Sequence, residues 1–190
     1  WQGTGQISQV PDQPAWRRMI IRPIEPADFD VVDAVHRAAF ASTAFGHQGE
    51  ADLVRTVHAD GDAQVSLVAE ADGQIVGHAL FSRMEVEADG VALKGAGLAP
   101  VGVLPDLHSA GVGSALIWRG IAMSQALDIQ ISFVLGHPDY YPRFGYSAET
   151  ARPFASPFAG PHFMALLLDK GLPLPESGRA RYAPAFGPER

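Results

Sequence analysis

"APVGVLPDLHSAGVGSALI", residues Ala99 to Ile117, runs from an apolar, strand-like stretch through a small-residue turn into a helix-like pattern. Gly111 and Gly113 fall where that helix begins. The first N–H groups of a helix have no partner within it and carry the positive end of its dipole. Glycines there let a bulky anion approach closely. A tight turn alone would also use two glycines, so the stretch by itself leaves both readings open. No Lys-Ser or Lys-Thr pair follows to reach a terminal phosphate, which excludes a P-loop. A dinucleotide fingerprint fails as well, because Leu116 takes its third glycine position and would block close helix–strand packing.

Downstream, Val112, Leu116, Met123 and Leu127, with Gly120 at the same spacing, predict an amphipathic helix. "ISFVLG" reads as a buried strand, "HPDYYPRFGY" as a turn and short helix stopped at Gly145, and Phe163 to Leu168 as a last strand. Upstream, Asp72-Gly73 and Asp89-Gly90 lie between β-branched runs, the strongest local signal for hairpins. Helices are expected from Pro26, with Phe29, Val32, Val35, Ala39 and Phe40 at helical spacing, and over Glu50 to Ala59. A short strand, Ile20 to Arg22, precedes them. Helices, then an antiparallel meander, then strand–helix–strand specify a mixed α/β layer fold built on one sheet.

The chain has 190 residues, 47% of them hydrophobic and 18% charged, which suits one domain with a sizeable core. Fourteen Lys and Arg against 21 Asp and Glu give a net charge of −7 and exclude a broad nucleic-acid surface. Any anionic ligand must therefore be held locally, against an unfavourable overall field. There is no Cys, which removes disulfides, thiolate metal sites and Cys nucleophiles. A cytoplasmic location fits that usage. No apolar run approaches the length of a membrane span, and the polar residues 1–18 lack a signal-peptide core. We expect residues 1–18 to be a flexible extension or expression remnant, 19–170 the folded domain, and 171–190 a tail packing on or near it.

The quoted stretch, extended in both directions, resembles a known family. Val103, Pro105, Gly111 and Gly113 match the acyl-CoA pyrophosphate-loop pattern V-x-P-x-x-Q/R-x-x-G-x-G/A of the GNAT superfamily of N-acetyltransferases. In "VLGHPDYYPRFGY", Tyr141, Gly145 and Tyr146 match a second signature, Y-x-x-x-G-F/Y. The double tyrosine with "PRFGY" is similar to the YhbS-like branch of predicted acetyltransferases. The resemblance covers Met19 to about Leu168. It implies a GNAT-like fold: a central, mostly antiparallel sheet, splayed in its middle, with helices on both faces.

It also implies uses for particular residues. Strand Ala99 to Val103, including Pro100, Val101 and Gly102, would offer main-chain groups to the pantetheine arm of acetyl-CoA, as an added strand does. Strand Ser132 to Leu135 would diverge from it to leave a wedge for the thioester. Backbone amides of His108, Ser109, Ala110, Gly111, Val112, Gly113 and Ser114 would cradle the pyrophosphate, and those near Val101 to Val103 would stabilise the oxyanion. One departure is plain: His108 stands where the family has Gln or Arg, and it donates weakly unless protonated. That predicts a modest coenzyme affinity, stronger in mild acid.

Acetyl transfer needs a neutral amine, a polarised thioester carbonyl and a proton for the departing thiolate. Tyr141 is the family-matched general acid, unless its ring only packs in the core. Tyr140 is the runner-up, since adjacent tyrosines on a turn cannot both face the cleft. Glu50, at a helix start in the acceptor-side region, and Glu85, near the end of a central strand, are the candidate bases. His78 reads as a hydrogen-bonded core histidine. Arg143 fits a solvated face better than a CoA phosphate. No histidine has metal-ligand spacing with carboxylates, so no metal is expected.

With no Cys for an acyl-enzyme and no Ser-His-acid pattern, transfer is expected to be direct, in a ternary complex. The acceptor is expected to be a primary amine of a small molecule or peptide. No nucleic-acid or membrane partner is expected, and a homodimer is left open. The alternative is a non-catalytic acyl-CoA-binding sensor of the same fold.

Overall fold

Two Asp-Gly pairs shape the centre of the sheet. Asp72 and Gly73 take φ of +49° and +77°, and Asp89 and Gly90 take +48° and +79°. That doubly positive pair is the two-residue hairpin turn whose twist matches the flanking strands. The turns join β2 (Ala63–Ala71), β3 (Gln74–Ala88) and β4 (Val91–Val103) into an antiparallel meander. The computed structural model describes residues 19–41 and 49–187, and only the backbone of residues 50 and 51.

β1 (Ile20–Pro23) pairs antiparallel with β2, and β5 (Ile131–Leu135) runs parallel to β4. β6 (Phe154–Ala155) is short, β7 (Phe163–Leu167) pairs antiparallel with β5, and β8 (Gly178–Tyr182) pairs with β3 and β6. The main path is β1-β2-β3-β4-β5-β7. β3 is long enough to pair with β2 along its first part and with β8 from Met84 to Ala88. The C-terminal tail is thus part of the sheet. Its alternation places Ala180 and Tyr182 inward and Arg179 and Arg181 outward.

Helices cover both faces. α1 (Phe29–Phe40) and α2 (Glu50–Ala59) set Val32, Val54 and Val57 against Leu80 and Met84. α3 (Val112–Ala126) sets Val112, Leu116 and Ile117 against Phe81 and Leu98 on the other face. Each such side chain contributes about 1.5–3 kcal/mol by leaving water. The Pro26–Asp28 turn opens α1, and Asp28 accepts from the Glu25 N–H at 2.7 Å and from Arg22 Nη1 at 2.6 Å. α4 (Ala148–Ala151) is one turn, capped by Ser147.

One expected stripe is corrected. Leu127 is 50% exposed because α3 ends at Ala126 and Leu127 is its C-cap. The buried stripe is Val112, Leu116 and Gly120, with Ile117 and Ile121 beside it, and Gly120 makes room for the Phe81 ring.

Candidate active site

β4 and β5 pair only from Gly95 to Gly97 against Ile131 to Phe133. Beyond that, β4 stays with β3 as far as Val103, while β5 stays with β7 as far as Leu135. The two strands part, and a wedge opens between Leu98–Val103 and Val134–Leu135. A bulge lies at its start: Ala79 pairs with Val101 and Phe81 with Leu98, leaving Ala99 and Pro100 together opposite Leu80. Pro100 has no N–H to give to a ladder, so it suits that position.

The Leu104 N–H bonds to the Val76 carbonyl, which fixes the phase of β4. Leu104 and Gly102 turn their main-chain groups toward β3; Val101 and Val103 turn theirs toward the wedge. The Val103 carbonyl already accepts from His108 Nε2 at 3.0 Å, so that nitrogen carries the hydrogen.

At the wedge's rim, Gly111 takes φ +87° as the N-cap of α3, a conformation that suits glycine, and no side chain caps the helix. The His108 and Ala110 N–H groups are spent on the carbonyls of Pro105 and Leu107. The N–H groups of Ser109, Gly111, Val112, Gly113 and Ser114 have no hydrogen-bond partner among the described residues. The first turn of α3 holds no acidic residue. Free donors and a positive helix end make this rim attractive to an anion despite the negative chain.

The two tyrosines separate. Tyr141 opens a short 3₁₀ turn (Tyr141–Phe144) after β5, and its ring lies against Gly136, where any Cβ would collide with it. It meets Tyr140 edge-on at 5.1 Å and Tyr146 at 6.1 Å. Burial, with Tyr140 as a smaller contributor, pushes its phenol up to about 12. The Tyr141 hydroxyl makes no hydrogen bond among the described residues. Tyr140 turns away to the α3 start, its hydroxyl 3.4 Å from Ser114 Oγ, with the Arg143 guanidinium 4.5 Å over its ring. Arg143 Nε also donates to the Tyr140 carbonyl at 2.9 Å. Tyr146, fully buried, pairs with Ser132 Oγ at 2.8 Å, a structural role.

The GNAT acetyltransferase domain model matches residues 20–148, which span every element of this wedge and rim. The chain belongs to the GNAT acetyltransferase family. N-acetyltransferase YjhQ of Escherichia coli (strain K12), itself uncharacterized, is 36% identical over 148 residues, 77% of this chain and 72% of YjhQ. The uncharacterized N-acetyltransferase YhbS of the same strain is 33% identical over 129 residues, 67% of this chain and 73% of YhbS. Among solved structures, a GNAT family acetyltransferase from Brucella melitensis, in complex with acetyl-CoA, superposes with a TM-score of 0.74 at 33% identity. The match covers 90% of this chain and 99% of that one. YhbS from Escherichia coli, in complex with CoA, gives a TM-score of 0.77 at 27% identity, covering 94% and 96%.

Within this GNAT fold one of the two candidate bases, Glu85, is not brought to the wedge. Glu85 is exposed on the far part of β3, between Lys94 of β4 and Arg181 of β8 in register. The bulge begins five positions along β4 from Lys94, roughly 16 Å of strand. The Glu50 side chain and residues 42–48 just before its helix lie outside the described residues. His78 is the core histidine: fully buried, with Nδ1 2.8 Å from His36 Nε2 and Nε2 2.9 Å from Ser66 Oγ. His36 is 1% exposed, its Nδ1 has no hydrogen-bond partner among the described residues, and Gly102 leaves room for its ring. Burial pushes His36 down to about 4, with Asp33 opposing, and holds His78 well below the usual imidazole range. No cluster of three or more His, Asp or Glu that could hold a metal occurs among the described residues. No described helix is long and apolar enough to cross a membrane.

Tyr182, whose ring lies against Gly97 at the point where β4 and β5 part, was not among the expected site residues. The alternation in "GRARYA" was the signal for its strand, but its partner strand lies about ninety residues upstream.

Proposed function

We propose that the protein transfers an acetyl group from acetyl-CoA to a primary amine of a small molecule or peptide, directly, in a ternary complex. One observation carries this: the unpaired edges of a split sheet stand beside five free N–H groups at a helix start, in a family whose solved members include complexes with acetyl-CoA and CoA.

The N–H groups of Ser109 and Gly111 to Ser114 take the diphosphate, and the outward edge of Val101 and Val103 takes the pantetheine amides. His108 leaves the Val103 carbonyl as that arm arrives. The Val101 N–H faces the wedge and donates to the thioester oxygen as negative charge develops there. The neutral amine attacks the thioester carbon, the C–S bond breaks, and Tyr141 gives its hydroxyl proton to the sulfur. The excess proton on nitrogen leaves through water, which also restores the Tyr141 proton.

Thiol release from acetyl-CoA, measured with spermidine, a lysine-containing peptide and a peptide with a free N-terminus, tests this. Amine-dependent release is expected. Tight CoA binding without release under any amine would instead establish the sensor, and absence of CoA binding would remove both readings.

A further inference from the structure

Strand β8 puts a hydroxyl where packing has no use for one. Tyr182 stands opposite Met84 in register and lays its ring across β4: a Cβ on Gly97 would sit 2.5 Å from Cε1 and 2.8 Å from Cδ1. Gly97 is the last residue of β4 paired with β5, so the ring lies where the wedge begins. Phe158 and Phe186 close around it, with ring centroids at 5.9 and 5.1 Å, and the residue is 8% exposed. The hydroxyl is buried and has no hydrogen-bond partner among the described residues. Phenylalanine would fill the same space without leaving a buried hydroxyl unsatisfied.

The direction of approach narrows its use. Tyr182 packs with Met84, Val86, Val54 and Val57, the core on the α1–α2 face of the sheet. The free amides that suit the diphosphate start α3, on the opposite face. The donor's phosphates and Tyr182 therefore meet the wedge from different sides. Burial, and more weakly the neighbouring phenols of Tyr146 and Tyr141, the second being the proposed proton donor, raise the Tyr182 phenol.

We propose that the Tyr182 hydroxyl binds the acceptor: its oxygen accepts a hydrogen bond from the incoming primary amine and holds that amine where β4 and β5 part. This rests on the acetyltransfer reading above. Tyr182 itself transfers no proton; burial raises its phenol, which stays protonated at neutral pH.

Tyr182→Phe tests it, against wild type, with acetyl-CoA and the best amine of the three named above. The expected result has three parts: a Tm no lower than wild type, an unchanged acetyl-CoA Kd, and an amine KM raised about tenfold with kcat little changed. An unchanged amine KM overturns the proposal, and so does a Tm several degrees lower, which would mean that the hydroxyl is bonded within the fold. If wild type itself transfers to no amine while binding acetyl-CoA, the acetyltransfer reading falls and takes this one with it. That failure is seen in wild type, so the two are distinguishable.

Discussion

Acid should loosen this fold well before its carboxylates titrate, because of the histidines under β4. The perturbation is a fall from about pH 7.5 to about pH 4.5. His36 has a folded value of about 4 against 6.5 for a free imidazole, and its first cause is burial. The folded value is depressed, so the unfolded chain takes the proton first. Stability is then intact above the unfolded value, falls as pH drops below 6.5, and levels off near 4. Between those two pH values His36 alone removes roughly 2–3 kcal/mol, the slope approaching about 1.4 kcal/mol per unit and proton only in mid-range. His78 and His58 are lowered in the same direction, also chiefly by burial, and add to the slope. Asp28, lowered by Arg22, acts below the carboxylate value of 3.8, outside this window. Urea unfolding at four pH values, followed by circular dichroism, gives the slope. His36→Leu should lose about one proton of it, and NMR titration of the histidine ring protons in the folded state checks the same quantity directly. Constant stability from pH 7.5 to 4.5, or an unchanged slope in His36→Leu, would refute the linkage.

Three substitutions probe the wedge and rim. Tyr141→Phe should lower kcat about a hundredfold and leave acetyl-CoA affinity unchanged, because it removes a proton donor and little packing. Gly136→Ala drives a methyl into the Tyr141 ring, so kcat should fall in the same direction while stability drops by about 1–3 kcal/mol, read by urea unfolding. Gly113→Val should raise the CoA Kd at least about tenfold by calorimetry: its Cβ, 3.6 Å from Val103 Cγ2, needs the Tyr140 hydroxyl 3.3 Å away to give slightly, and the added methyls cover the neighbouring amides.

Local signals were legible in the sequence and distant ones were not. Asp72-Gly73 and Asp89-Gly90 fixed their hairpins because two positive φ angles in succession leave the chain few alternatives. The glycine-bearing turn before α3 was readable because helix starts have a chemistry of their own. β8 was missed: of its five residues only Ala180 and Tyr182 are buried, it sits in a tail rich in Gly, Pro and Arg, and its pairing with β3 spans some ninety residues. Glu85 was undecided from alternation alone, since which face looks outward depends on that same pairing. The His36–His78 contact joins positions 42 residues apart, and no local pattern announces it. The resemblance ranked Tyr141 over Tyr140, but their different surroundings, Ser114 for Tyr140 and Gly136 for Tyr141, come only from the fold.

The grip on the diphosphate can be watched at the main chain itself, by titrating CoA into ¹⁵N-labelled protein and following the backbone amides. If free N–H groups hold it, the resonances of Ser109 and Gly111 to Ser114 shift downfield together and saturate with the binding isotherm. Saturable CoA binding with those five resonances unmoved would contradict it.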